Sequence, residues 1–152
     1  MIKINIITNN NGWKNYIKNP KKYFEKNIKR INKGFLKYRK NIIYFTLLLS
    51  GDKEIRKLNK QFRKKNKTTD VLSFPFYNKK DLVNKLKKNK EVYLGDIILN
   101  LNRINDKNKN FKNNFNKLWI HGLIHLFGYK HKKDKDFYHM RKIEKKFVSF
   151  LK

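Results

Sequence analysis

The stretch IIYFTLLLSGDKEIRKLNKQF, residues 42 to 62, decides the fold class. Its first eight residues are β-branched, aromatic and aliphatic, the composition of a strand buried in a sheet. Ser50, Gly51 and Asp52 then supply a turn and a cap for a helix that carries Ile55, Leu58 and Phe62 at helical spacing. A strand running directly into an amphipathic helix calls for a sheet covered by helices.

Working outward, Ile2, Ile4 and Ile6 alternate with polar residues, the period-two pattern of a first strand. From Trp13 to Tyr38, Trp13, Tyr16, Ile17, Phe24, Ile28, Ile31 and Phe35 recur at three and four, interrupted near Pro20, which predicts a helical region in two pieces. Asp70–Phe76 and Val92–Leu99 read as two further strands, separated by a Lys-rich insertion, Asn78 to Lys90, with a weak helical period at Leu82, Val83 and Leu86. Past Leu101 the sequence reads as helix, through Phe111, Phe115, Leu118 and Trp119, with Gly128 as the stop. A last amphipathic helix carries Phe137, Met140, Ile143, Phe147 and Phe150. The expectation is an α+β fold: a small mixed sheet of about four strands covered by helices, forming one domain over residues 1–152.

Lys and Arg number 40 against 11 Asp and Glu, a formal net charge of +29, so polyanions are the natural partners. Ala is absent while Lys, Asn, Ile, Phe and Tyr abound, a bias typical of AT-rich coding, which is the competing explanation for most of that excess. With no cysteine, disulfides, thiolate metal sites and thiol nucleophiles are excluded. The longest apolar run, Ile42 to Leu49, is too short to cross a bilayer, and no cleavage signal follows the first residues; the expected location is the cytoplasm.

Three of the four histidines lie within HGLIHLFGYKH, residues 121 to 131. His121 and His125, four apart on a helix, bring both imidazoles to one face, and Gly128 turns the chain so that His131 approaches the same point. Three neutral nitrogens leave a fourth position of a tetrahedral ion open, the mark of a catalytic zinc site. His139, alone in the last helix, is left outside it. The spacing resembles the metzincin zinc-protease pattern H-E-x-x-H-x-x-G-x-x-H, yet the general-base Glu of that pattern is here Gly122, which disfavours proteolysis. A phosphodiester instead needs cations to hold its developing charge, and this chain is rich in them.

HGLIHLFGYKH resembles the H-G-x-L-H-L-x-G-Y-D-H signature of the YbeY family of endoribonucleases and ribosomal RNA maturation factors. LNKQFRKKNKTTDVLSFPF, from Leu58 to Phe76, is similar to that family's L-N-x-x-Y-R-x-x-D-x-P-T-D-V-L-S-F-P block, and Leu94, Gly95, Asp96 and Ile97 match its L-G-D-I segment. The resemblance spans the last two-thirds of the chain. It implies one zinc ion on His121, His125 and His131, with Arg63 in the active-site cleft, clamping a phosphate or stabilising its transition state. It also implies a single-strand-selective endoribonuclease in the maturation of 16S ribosomal RNA at its 3′ end and in ribosome quality control. The implied partners are ribosomal RNA, the small subunit, ribosomal proteins and an assembly GTPase.

Asp70, Ser73 and Asp96 read as hydrogen-bonded organisers of strand ends, and Tyr129 reads first as packing beside the metal loop, with Tyr129 or Phe76 contacting a base as the alternative role. The chain departs from the signature at Lys130, Thr68 and Asn66. Where the family has an Asp, Lys130 can neither orient a histidine nor take a proton while charged, so Asp134 or Asp136 in the next turn is the candidate replacement. Two other function classes fit the same residues: a ribosome-binding assembly factor with a structural zinc, and another zinc hydrolase such as a peptidase or amidase.

Overall fold

A computed structural model describes residues 1–104, 111–131 and 133–152. Four strands, β1 (Ile2–Thr8), β2 (Ile42–Ser50), β3 (Val71–Pro75) and β4 (Glu91–Asn100), form one sheet in the order β1-β2-β4-β3. The β1/β2 and β2/β4 pairs are parallel and β3/β4 is antiparallel, so the mixed α+β expectation holds. The helices are α1 (Pro20–Gly34), α2 (Asp52–Arg63), α3 (Lys79–Lys88), α4 (Leu101–Ile104), α5 (Phe111–Leu126) and α6 (Asp134–Ser149).

The two faces of the sheet are unequal. Ile43, Phe45, Leu47 and Leu49 of β2 point to the main core, built with Phe24 and Ile31 of α1, Leu82 of α3, Phe115 and Trp119 of α5, and Phe147 of α6. Trp13, Phe45, Phe115 and Trp119 are wholly buried there, and each such side chain contributes roughly 1.5–3 kcal/mol of transfer free energy. On the opposite face a small second cluster joins Ile55 of α2 to Leu72 and Ile98.

Local chemistry explains the element ends. The Trp13–Tyr38 region does divide, into a 3₁₀ turn at Asn11–Asn15 and α1, whose Asn19 cap accepts from the Lys22 N–H at 2.9 Å with Pro20 opening the helix. The basic insertion is a complete helix, α3, because Asn78 caps it and Leu82 and Leu86 reach the core. At the start of α2 the cap is Gly51, without a side-chain bond; Asp52 lies inside the helix and accepts from buried Asn100 Nδ2 at 2.7 Å, tying α2 to the end of β4. The linker at 105–110, expected to be helical, lies outside the described residues.

β4 carries a bulge. Tyr44 pairs with Tyr93 but Thr46 pairs with Asp96, so β4 holds one more residue than β2 across that interval. Gly95 sits in the bulge at φ +130°. Both Tyr93 and Asp96 consequently face the same side, and the Tyr93 O–H donates to the Asp96 carboxylate.

Candidate metal centre

Helix α5 runs into Leu126 and ends at Gly128, whose φ of +82° is the left-handed turn expected of it. The turn places His131 beside the α5 pair, its ring centroid 5.5 Å from His121 and 5.0 Å from His125. One ligand nitrogen from each of the three histidines lies within 4.8 Å of the other two. His121 and His125 are half-buried and His131 is exposed, so the group opens to solvent on the His131 side.

The hydrogen bonds at the back of the rings decide which nitrogens are free. His125 Nδ1 lies 2.8 Å from the Tyr129 carbonyl oxygen, which can only accept, so that nitrogen carries the proton. His121 Nδ1 lies 2.5 Å from Glu144 Oε1, and a carboxylate there likewise fixes the proton on Nδ1. Both Nε2 atoms then present lone pairs to one another at 3.0 Å. Two facing lone pairs at that distance repel unless a cation lies between or beside them. Burial pushes His125 down to about 4, so at neutral pH its ring is not the source of that charge. Around a tetrahedral ion with bonds of ~2.0–2.1 Å, nitrogens sit roughly 3.3–3.5 Å apart, a small displacement from the geometry found. The three side chains can hold a metal ion.

Glu144 is the residue that sequence reasoning missed. Asp134 and Asp136, offered as replacements for the carboxylate absent at Lys130, sit exposed in the first turn of α6, while Glu144 is the acid that reaches one of the three histidines. It lies one face-turn beyond Met140 on α6, four residues along, and Met140 is buried. Such partners typically change metal affinity 10–100-fold. Glu144→Ala is therefore expected to weaken metal binding by roughly that factor, and Glu144→Gln by less, in competition with a chromogenic chelator.

Gly122 is buried, and a Cβ there would stand 2.9 Å from Ile97 Cγ2 and 3.1 Å from Ser73 Oγ. The position of the metzincin general base is thus pressed against the sheet, so no acidic side chain fits there. His139 lies outside the cluster, its ring 5.6 Å from that of Tyr129. The Tyr129 ring itself packs under Lys79 Nζ at 4.5 Å.

Arg63, at the end of α2, donates through Nη2 to the Ser73 carbonyl at 2.9 Å, with its guanidinium 5.7 Å from the Phe74 ring centre. Ser73 thus accepts from Arg63 by its carbonyl, while its hydroxyl bounds the space in which a side chain at position 122 would have to fit. Arg63 has no carboxylate partner among the described residues, which leaves N–H donors for an anion. Asp70 accepts from its neighbours Thr69 and Val71, the strand-end role expected of it. Thr68 and Asn66, two of the departures, accept from Arg103 and Arg56 respectively. Beside the histidines a cleft of about 360 Å³ is lined by Asp70, Val71, Lys117, His121 and Glu144, among others.

The profile of the family described as Endoribonuclease YbeY matches residues 7–152. The chain belongs to the YbeY family. It is 43% identical to the endoribonuclease YbeY of Pelagibacter ubique over 100% of this chain and 97% of that one. The Ehrlichia chaffeensis endoribonuclease YbeY is 36% identical, across 99% of this chain and 93% of its own. Among solved structures, the solution structure of TM1509 from Thermotoga maritima superposes with a TM-score of 0.61 at 27% identity, covering 98% of this chain and 89% of that one. The YbeY match takes in the end of β1 and all of α1 and β2, where the motifs alone were silent.

Proposed function

We propose that this chain is a zinc-dependent, single-strand-selective endoribonuclease acting in the cytoplasm, in the maturation of 16S ribosomal RNA at its 3′ end and in ribosome quality control. The observation that carries the metal dependence is the pair of bare Nε2 atoms facing each other at 3.0 Å beside His131. The relatives' name, endoribonuclease, supports the reaction class. Zinc is favoured over other ions by three imidazoles without thiolate or carboxylate in the ligand set.

His121, His125 and His131 would hold the ion, which supplies Lewis acidity at a water or a phosphoryl oxygen. Glu144 keeps the His121 proton on Nδ1 and the Tyr129 carbonyl does the same for His125, so both rings offer Nε2 without prior deprotonation. Arg63, anchored on Ser73, presents its remaining N–H donors to a phosphate, where they stabilise charge developing in the transition state. Lys117 on the cleft wall adds a further cation for the backbone. The blocked position at Gly122 counts against a peptidase working through the metzincin base. The partners are ribosomal RNA and the small subunit, with ribosomal proteins and an assembly GTPase docking on them.

Arg63→Ala is expected to lower cleavage of a single-stranded RNA by about 100-fold or more while retaining one zinc per chain. Full activity in that variant removes Arg63 from the catalytic set.

A further inference from the structure

Half of the second sheet face is left uncovered. Among the described residues, α2 is the helix whose apolar side chains pack there, and it covers Leu72 and Ile98. Outside the α2 cluster this face carries a row of neighbouring aromatic side chains. In register, Lys3 of β1 sits beside Tyr44 of β2, and Tyr44 beside Tyr93 of β4; the next row on the same face runs Asn5, Thr46, Asp96 and Phe74. The Tyr44 and Tyr93 rings lie 5.3 Å apart, and Tyr93 and Phe76 6.3 Å apart. At the α2 end, Phe62 lies 5.3 Å from Phe74, over which Arg63 stands. Phe76 is 69% exposed, Phe62 60% and Tyr44 39%, high values for side chains of this size.

A soluble chain does not gather exposed rings on one face without a use for them. We propose that this face is a stacking platform for single-stranded RNA, with bases on Phe76, Tyr93 and Tyr44 and the strand passing the β3 edge, by Phe62 and Arg63, toward the histidines. The inference rests on the RNA reading above and gives it a binding surface. Every base has a π-face, so a ridge of rings holds unpaired RNA without regard to sequence, whereas a duplex hides its bases. The ring row of Tyr44, Tyr93 and Phe76 is bordered in the next row by the polar Asn5 and Thr46, a rim that suits a solvated phosphate backbone running beside stacked bases. The charge is complementary: Lys3 is in the row, α2 is rich in Lys and Arg, and the chain carries +29. The one acid in these rows, Asp96, is engaged by the Tyr93 hydroxyl, which fixes the tilt of that ring. The β4 bulge is what makes the platform, since without it Tyr93 and Asp96 would point to opposite faces.

The test is fluorescence anisotropy of a labelled oligouridylate on metal-free protein, so that binding is read without cleavage. A Tyr44→Ala, Phe76→Ala double variant is expected to lose roughly tenfold or more in affinity with the same salt slope as wild type, while Tyr44→Phe with Phe76→Tyr binds as wild type. Both positions are exposed, and matched melting curves show that folding is intact. Unchanged affinity in the alanine pair overturns the platform and leaves the ridge to a protein partner. Failure of the enzymatic reading looks different: metal-loaded wild type then binds the RNA through these rings and does not cut it.

Discussion

His125→Ala protein, purified without a tag and dialysed, is expected to contain almost no zinc, against about one per chain in wild type. His125 sits between the other two histidines: its Nε2 faces His121 Nε2 at 3.0 Å and its ring is nearer to His131 than the His121 ring is. Its ring is held from behind by a main-chain carbonyl four residues along. Two remaining imidazoles, one of them on an exposed loop, cannot close a tetrahedral site. The variant should still fold, because His125 is half-buried and its side chain is not part of the apolar core. Plasma mass spectrometry reads the metal, and circular dichroism the fold. Zinc at wild-type level in the variant would mean that the ion sits elsewhere.

Gly95→Ala is expected to destabilise the protein by about 3 kcal/mol or more, a drop in Tm of roughly 6–12 °C for a domain of this size. Two effects add. The φ of +130° is one that L residues rarely adopt, and a Cβ there would lie 2.1 Å from the Phe74 carbonyl oxygen, which is main chain and cannot swing away. Relief requires the β3/β4 pairing to shift, which displaces Ser73 and with it the Arg63 anchor. Thermal melting measures the loss, and a Tm within a degree or two of wild type would show that the bulge is not strained.

Much of this was readable from the residues. Ile42–Leu49 and the alternating isoleucines of β1 disclosed strands because one face of each is buried, and burial writes a period into the sequence. The three histidines were legible because two ligands share a helix face and a glycine turns the chain to the third. What stayed hidden depends on contacts distant in sequence or on the main chain. Glu144 reaches His121 from another helix, 23 residues on, and no local pattern marks it among the charges of α6. The Tyr129 carbonyl that orients His125 would be present with any residue at 129. The helix in the Lys-rich insertion was masked by its charge, since only Leu82 and Leu86 bury fully there. The aromatic ridge needs the sheet order and the bulge, neither of which periodicity supplies.

Zinc dependence is tested by titrating zinc into metal-free wild-type protein, with cleavage of a single-stranded RNA recorded at each addition. No cleavage is expected without metal, with activity rising in proportion to bound zinc and saturating at about one ion per chain. Cleavage that is equally fast in the metal-free protein, or absent at full occupancy, would contradict it.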